Sequence, residues 1–133
     1  MRNLVLVGSL LCLLAGCEVE IYKGELIERD GRYYKPTETE PFAGEHQHMD
    51  TDRNLEVRRR WHKNGQLRFE ATYQDGKQVG MRRSWHDNGQ LRVETPYRDG
   101  VQEGMEKWWL KSGEQGHEIC YIYGEEEDLE HCQ

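Results

Sequence analysis

The stretch Arg60-Trp61-His62-Lys63-Asn64-Gly65-Gln66-Leu67-Arg68-Phe69-Glu70 recurs 24 residues later as Ser84-Trp85-His86-Asp87-Asn88-Gly89-Gln90-Leu91-Arg92-Val93-Glu94. The match runs on through Tyr73 and Tyr97, Asp75-Gly76 and Asp99-Gly100, and Gly80-Met81 and Gly104-Met105. It then fades into a third copy marked by Trp109, Ser112-Gly113, Glu118, Tyr121 and Gly124. Self-similarity at a short fixed period marks a repeat architecture, in which each unit buries its apolar surface against its neighbours.

Each full copy carries Asn-Gly and Asp-Gly, dipeptides suited to a two-residue type I′ hairpin turn because both central residues take positive φ. Between the turns the side chains alternate with period two, as in Leu67, Phe69, Ala71, Tyr73 and Leu91, Val93, Thr95, Tyr97, which is the signature of a strand. The expectation is an all-β fold: an elongated antiparallel meander of tandem 24-residue β-hairpins with turns at 64–65, 75–76, 88–89, 99–100 and 112–113. Counting outward from two-residue Asn-Gly and Ser-Gly loops sets Arg59 opposite Glu70, Arg83 opposite Glu94 and Lys107 opposite Glu118. All are pairs of opposite sign, which supports the register. The same count sets Gly80 against Tyr97 and Gly104 against Tyr121.

Alternation also sorts the faces. One collects Leu67, Phe69, Tyr73, Leu91, Val93, Tyr97, Trp108, Ile119 and Tyr121, and the other Trp61, Met81, Trp85, Met105 and Trp109 among the charged pairs. Tryptophans on every second strand are spaced about 10 Å apart. Trp61, Arg68, Trp85, Arg92 and Trp109 therefore form a candidate binding strip of aromatics beside arginines, residue types enriched at interface hot spots. A thin sheet simply covering itself is the competing reading.

The N-terminus carries a different message. Arg2 is followed by an uncharged apolar run from Leu4 to Leu14, then small Ala15 and Gly16, the layout of a secretory signal too short for a permanent span. Leu14-Ala15-Gly16-Cys17 resembles the lipobox of bacterial lipoproteins, in which small residues admit the peptidase and the cysteine thiol accepts the lipid. The resemblance implies cleavage before Cys17 and a membrane-held mature chain, with Glu18 after the cysteine pointing to the outer membrane, facing the periplasm. The division is 1–16 signal peptide, 17–24 lipid tether, 25–124 repeat domain with an irregular segment at 45–56, and 125–133 acidic tail.

The formal charge of −7 becomes −8 when Arg2 is removed, and it is unevenly spread. Arg53 to Arg98 holds eleven Lys and Arg against five Asp and Glu, whereas Glu125-Glu126-Glu127-Asp128 is a run of acids. An exported lipoprotein meets little nucleic acid. Anionic lipid, glycan or an acidic protein is the counterpart such a basic stretch would meet. With 35% hydrophobic residues, burial rests largely on the 13 aromatics.

The repeats resemble the variant class of MORN repeats of bacterial proteins. Asn64-Gly65-Gln66-Leu67, Glu70, Tyr73, Asp75-Gly76-Lys77 and Gly80 carry the likeness, with their partners Asn88-Gly89-Gln90-Leu91, Glu94, Tyr97, Asp99-Gly100 and Gly104. Arg29-Asp30-Gly31-Arg32-Tyr33-Tyr34 and Pro41-Phe42-Ala43-Gly44 resemble the opening hairpin of such proteins. The resemblance implies a twisted sheet of stacked hairpins acting as a non-catalytic interaction scaffold with a protein partner. Many bacterial members are similar to antitoxin or immunity components, so neutralisation of one toxin is the alternative function. The departures are the long segment between Gly44 and Val57 and the third copy, where Gln115 replaces the leucine.

After lipidation of Cys17, Cys120 and Cys132 form an even pair outside the cytoplasm and are expected to close a disulfide over the acidic tail, with free thiols as the alternative. His46, His48, Asp50 and Asp52 alternate, so an extended strand places them on one side, as a metal site would. A solvated loop is the commoner fate of such a segment, and no metal or cofactor is expected. Asp50-Thr51-Asp52-Arg53-Asn54 begins like a calcium loop but has Leu55 where glycine is needed and Trp61 where the bidentate glutamate belongs. His62 and His86 sit beside turns as repeat equivalents, and no nucleophile, base or phosphate loop is arranged for catalysis. An enzyme is not expected.

Overall fold

The computed structural model describes residues 21–133; the expected signal peptide and the expected lipidation site, Cys17, lie outside the described residues. Near the start of that span, β1 (Ile21–Tyr22) precedes a separate hairpin, β2 (Ile27–Arg29) and β3 (Arg32–Tyr34). The main sheet continues with β4 (Glu45–Asp50), β5 (Leu55–Trp61), β6 (Leu67–Gln74), β7 (Lys77–Trp85) and β8 (Leu91–Arg98). It ends with β9 (Val101–Gln102), β10 (Gly104–Trp109), β11 (Gln115–Ile122) and β12 (Glu125–Glu127), followed by a 3₁₀ turn over Leu129–Cys132. Sequential antiparallel neighbours make the meander the repeats imply, with β9 also on β8. One pairing departs from it: β1 runs parallel to β4, so the sheet is mixed.

The segment expected to be irregular at 45–56 is strand β4, a tight turn at 51–54 and the start of β5. Within β4 only His46 is buried, and the strand's one apolar residue, Met49, is exposed. The acidic tail is likewise structured. Glu125–Glu127 pairs with β11, and Cys120, fully buried, is disulfide-bonded to Cys132 at a Cα separation of 5.7 Å.

The Asp-Gly turns are type I′ as expected: Asp75 and Gly76 have φ of 50° and 77°, and Asp99 and Gly100 have 49° and 89°. The Asn-Gly turns are not. Gly65 alone has positive φ, Gly65 N–H donates to His62 O, and His62 N–H donates to Gln66 O, which is a type I turn closed by a left-handed glycine in a three-residue loop. Such a loop shifts the register by one, as Trp61 opposite Leu67 shows. An extra residue at Arg68 then restores it, putting Arg60 opposite Phe69. The second and third copies repeat the device, with Arg92 and Gly116 as the extra residues. The pairs Arg59–Glu70, Arg83–Glu94 and Lys107–Glu118 therefore stand where the two-residue count put them.

Adjacent hairpins are stitched at their turns. Asn64 Nδ2 donates to Asp87 O at 2.6 Å while Asn64 Oδ1 accepts from Gln66 N, and Asn88 does the same with Lys111 O at 2.8 Å and Gln90 N. His62 Nε2 and His86 Nε2 donate to Trp85 O and Trp109 O, each at 2.9 Å. These histidines are structural staples between repeats. In the third copy Leu110 and Ser112 take the His and Asn places, and among the described residues no further Asn-Gly type turn follows for them to reach.

Candidate functional site

Cross-strand register divides the charged residues into two rows on opposite faces. One row runs His46, Arg59, Glu70, Arg83, Glu94, Lys107, Glu118, each residue directly across from the next. From Arg59 onward it is a ladder of alternating sign. Arg59 reaches Glu70 at 2.6 Å, Arg83 reaches Glu94 at 3.3 Å and Lys107 reaches Glu118 at 3.9 Å. This face is electrostatically self-compensated.

Its N-terminal end is covered. Tyr33, Phe42 and His46 surround Trp61 with ring centroids 5.3, 5.2 and 5.9 Å away, leaving Trp61 5% exposed. His46 Nε2 donates to Gly24 O at 2.8 Å, which ties the segment before β2 to the sheet. Burial holds the His46 imidazole below its ordinary pKa against the favourable bond to Gly24, and Arg59 and His48 lower it further. Burial also raises the Tyr33 phenol. Among the described residues no three His, Cys, Asp or Glu side chains are gathered for a metal, and His46 is spent on the Gly24 carbonyl.

The other row runs Glu45, Arg60, Phe69, Ser84, Val93, Trp108. It floors a groove of about 390 Å³ into which Arg60, Arg68, Arg82 and Arg92 converge beside Phe69 and Trp108. The Arg60 and Arg82 guanidinium carbons lie 5.3 and 5.4 Å from the Phe69 ring centre, in cation–π range. Trp108 stacks on His117 at 5.1 Å and donates from Nε1 to Glu106 at 2.7 Å. Glu106 is buried and also accepts from Thr95 at 2.6 Å and Gln102 at 3.3 Å. Arg60 pairs with Glu45 at 2.9 Å, but among the described residues no acid pairs with Arg68, Arg82 or Arg92.

The expected strip is thus divided. Alternation placed Arg68 and Arg92 with the tryptophans; as bulge residues they line the groove beside Phe69 and Val93 instead. Trp85 borders the groove, Trp109 is half-buried outside its lining, and Trp61 is packed inside the molecule. Arg60, Arg82 and Trp108 were absent from the strip. The signal for Arg60 and Trp108 was the same pair counting that placed the ladder, carried one position further.

No curated protein and no solved structure matches the chain. Two consecutive stretches, residues 57–75 and 78–99, match the MORN repeat variant; they run from β5 to β8, the middle of both rows, and MORN repeats are in general interaction motifs rather than catalytic ones.

Proposed function

We propose that the chain is a non-catalytic interaction scaffold, held to a membrane through lipid on Cys17, that engages a protein partner through the arginine groove. The observation that carries the reading is the contrast between faces: the ladder pairs its charges across the strands, whereas the groove gathers Arg68, Arg82 and Arg92, with which no described acid forms an ion pair. Concave surfaces with convergent charge and aromatic walls favour binding. The lipobox-like Leu14-Ala15-Gly16-Cys17 supports the anchor, and Glu18 supports the outer membrane with the domain facing the periplasm.

A photo-crosslinking residue at Val93, on the groove floor, is expected to capture one partner in intact cells, and the same residue at Glu118, on the ladder, to capture none. Equal yields from both faces would sink the groove as the contact. Cys17→Ala is expected to move the protein from the membrane to the soluble fraction, and unchanged fractionation would remove the anchor. Neutralisation of a single toxin is the narrower form of this reading. It requires that cells lacking the protein become sensitive to their siblings, and their continued resistance would exclude it.

A further inference from the structure

We infer that the groove takes an acidic segment of a partner protein in the polyproline II conformation, with carboxylates three residues apart facing Arg68 and Arg92. The inference rests on the scaffold reading and names the chemistry of its partner.

The first argument is spacing. Phe69, Ser84 and Val93 face one another across β6, β7 and β8, so the neighbouring bulge residues Arg68 and Arg92 are two strand spacings apart. At about 4.8 Å per spacing, the arginine backbones stand roughly 10 Å from each other. A bound β-strand offers same-side carboxylates about 7 or 13 Å apart. A polyproline II helix, with three residues per turn and about 3.1 Å rise, offers them about 9.3 Å apart.

Backbone availability points the same way. β6, β7 and β8 are interior strands whose edges are already paired, so a ligand cannot add as a strand here and recognition passes through side chains. The walls suit such a ligand. Phe69 is clasped by Arg60 and Arg82, and Trp108 is fixed by its bond to Glu106 and its stack on His117. Aromatic-walled grooves of this kind seat the prolines between recognition residues. The repeat sets the length, because Gly116 stands at the third bulge and the arginine spacing ends after two copies.

The test uses the full chain purified in detergent and a fluorescent peptide with glutamates at every third position separated by paired prolines, read by anisotropy. It is expected to bind at least tenfold more tightly than a peptide of alternating glutamate and proline, whose acids fall at every second position. Raising salt from 50 to 200 mM should weaken it, as for any contact between charges. Arg68→Glu with Arg92→Glu, both on exposed side chains, should cost at least tenfold while leaving the thermal melt in place. Equal affinity for both spacings, an unaffected double variant, or preferential binding to vesicles rich in anionic phospholipid or to a sulfated glycan would overturn the inference. If the Val93 crosslink still captures one partner while the peptides fail, the groove remains the contact and only the occupant is wrong. If the crosslink also fails, the scaffold reading falls with it.

Discussion

Asn64→Asp should destabilise the sheet mainly by removing a staple. The substitution is nearly isosteric and keeps the oxygen that accepts from Gln66 N, so the local turn is preserved. It replaces the Nδ2 donor, which sits 2.6 Å from Asp87 O, with a second acceptor. Loss of one hydrogen bond costs about 0.5 to 1.5 kcal/mol, and because the site is exposed both oxygens can turn to water, so the total should stay at about 1 kcal/mol. For a chain of this size that is roughly a 3 to 6 °C fall in melting temperature, measurable by circular dichroism and by the urea midpoint. Part of the effect could be charge repulsion, which melting at high salt screens out. The decisive comparison is at Ser112, the equivalent position, where no later turn is reached among the described residues. There Asn and Asp variants should differ by less than about 0.5 kcal/mol, the usual range for surface changes. If Asn-to-Asp costs the same at 64 and 112, the bond between turns contributes nothing and the stapling argument is refuted.

Three further outcomes follow from the packing. Trp61→Ala, at a site 5% exposed, should cost about 3 to 5 kcal/mol by equilibrium unfolding, and Trp85→Ala, half-buried, clearly less. His46 has a folded pKa depressed first by burial, so its share of stability is present above the ordinary histidine value of about 6.5 and is lost as pH falls through the depressed value. Trp61 emission should therefore shift toward that of a wetter indole in mild acid, and His46→Gln, which keeps a donor for Gly24 O, should abolish the shift; a shift of equal size in the variant would place its origin elsewhere. Cys132→Ser opens a loop of sequence separation 12 and should cost about 3 kcal/mol, with denaturant midpoints of wild type and variant converging under reducing conditions.

Register was legible in the sequence because it depends on parity and on residues of opposite sign that recur every 24 positions. It survived a wrong turn type for a physical reason: the three-residue loop and the bulge after it displace the chain by equal and opposite amounts. The facing of Arg68 and Arg92 was not legible, since alternation carries no mark of where an extra residue is inserted. Trp61 presents a different limit. Its repeat equivalents share its sequence context, but only Trp61 lies where Tyr33 and Phe42 return to the sheet, and that is a long-range contact. The roles of Asn64 and His62 had a signal that the composition of turns conceals. Both types persist in the second copy and vanish in the third, the pattern expected of groups that serve the following repeat rather than their own.

The same substitutions explain how an acidic protein comes to hold a basic groove. At the positions of Arg82, Ser84 and Arg92, the third copy has Glu106, Trp108 and Gly116, which replaces two cations with a buried carboxylate and a bulge without a side chain. The arginine row therefore stops at an aromatic wall. The acids that outnumber the bases are placed elsewhere. Some pair within the ladder, where each contact is worth only tenths of a kcal/mol to about 1 kcal/mol and leaves little charge to recruit a partner. Others form the edge strand Glu125–Glu127, where like charge deters another sheet from adding to the exposed backbone. Among the described residues, a paired ladder and an acidic edge contrast with a groove in which Arg68, Arg82 and Arg92 have no acid partner, so the groove is where charge remains to be met from outside.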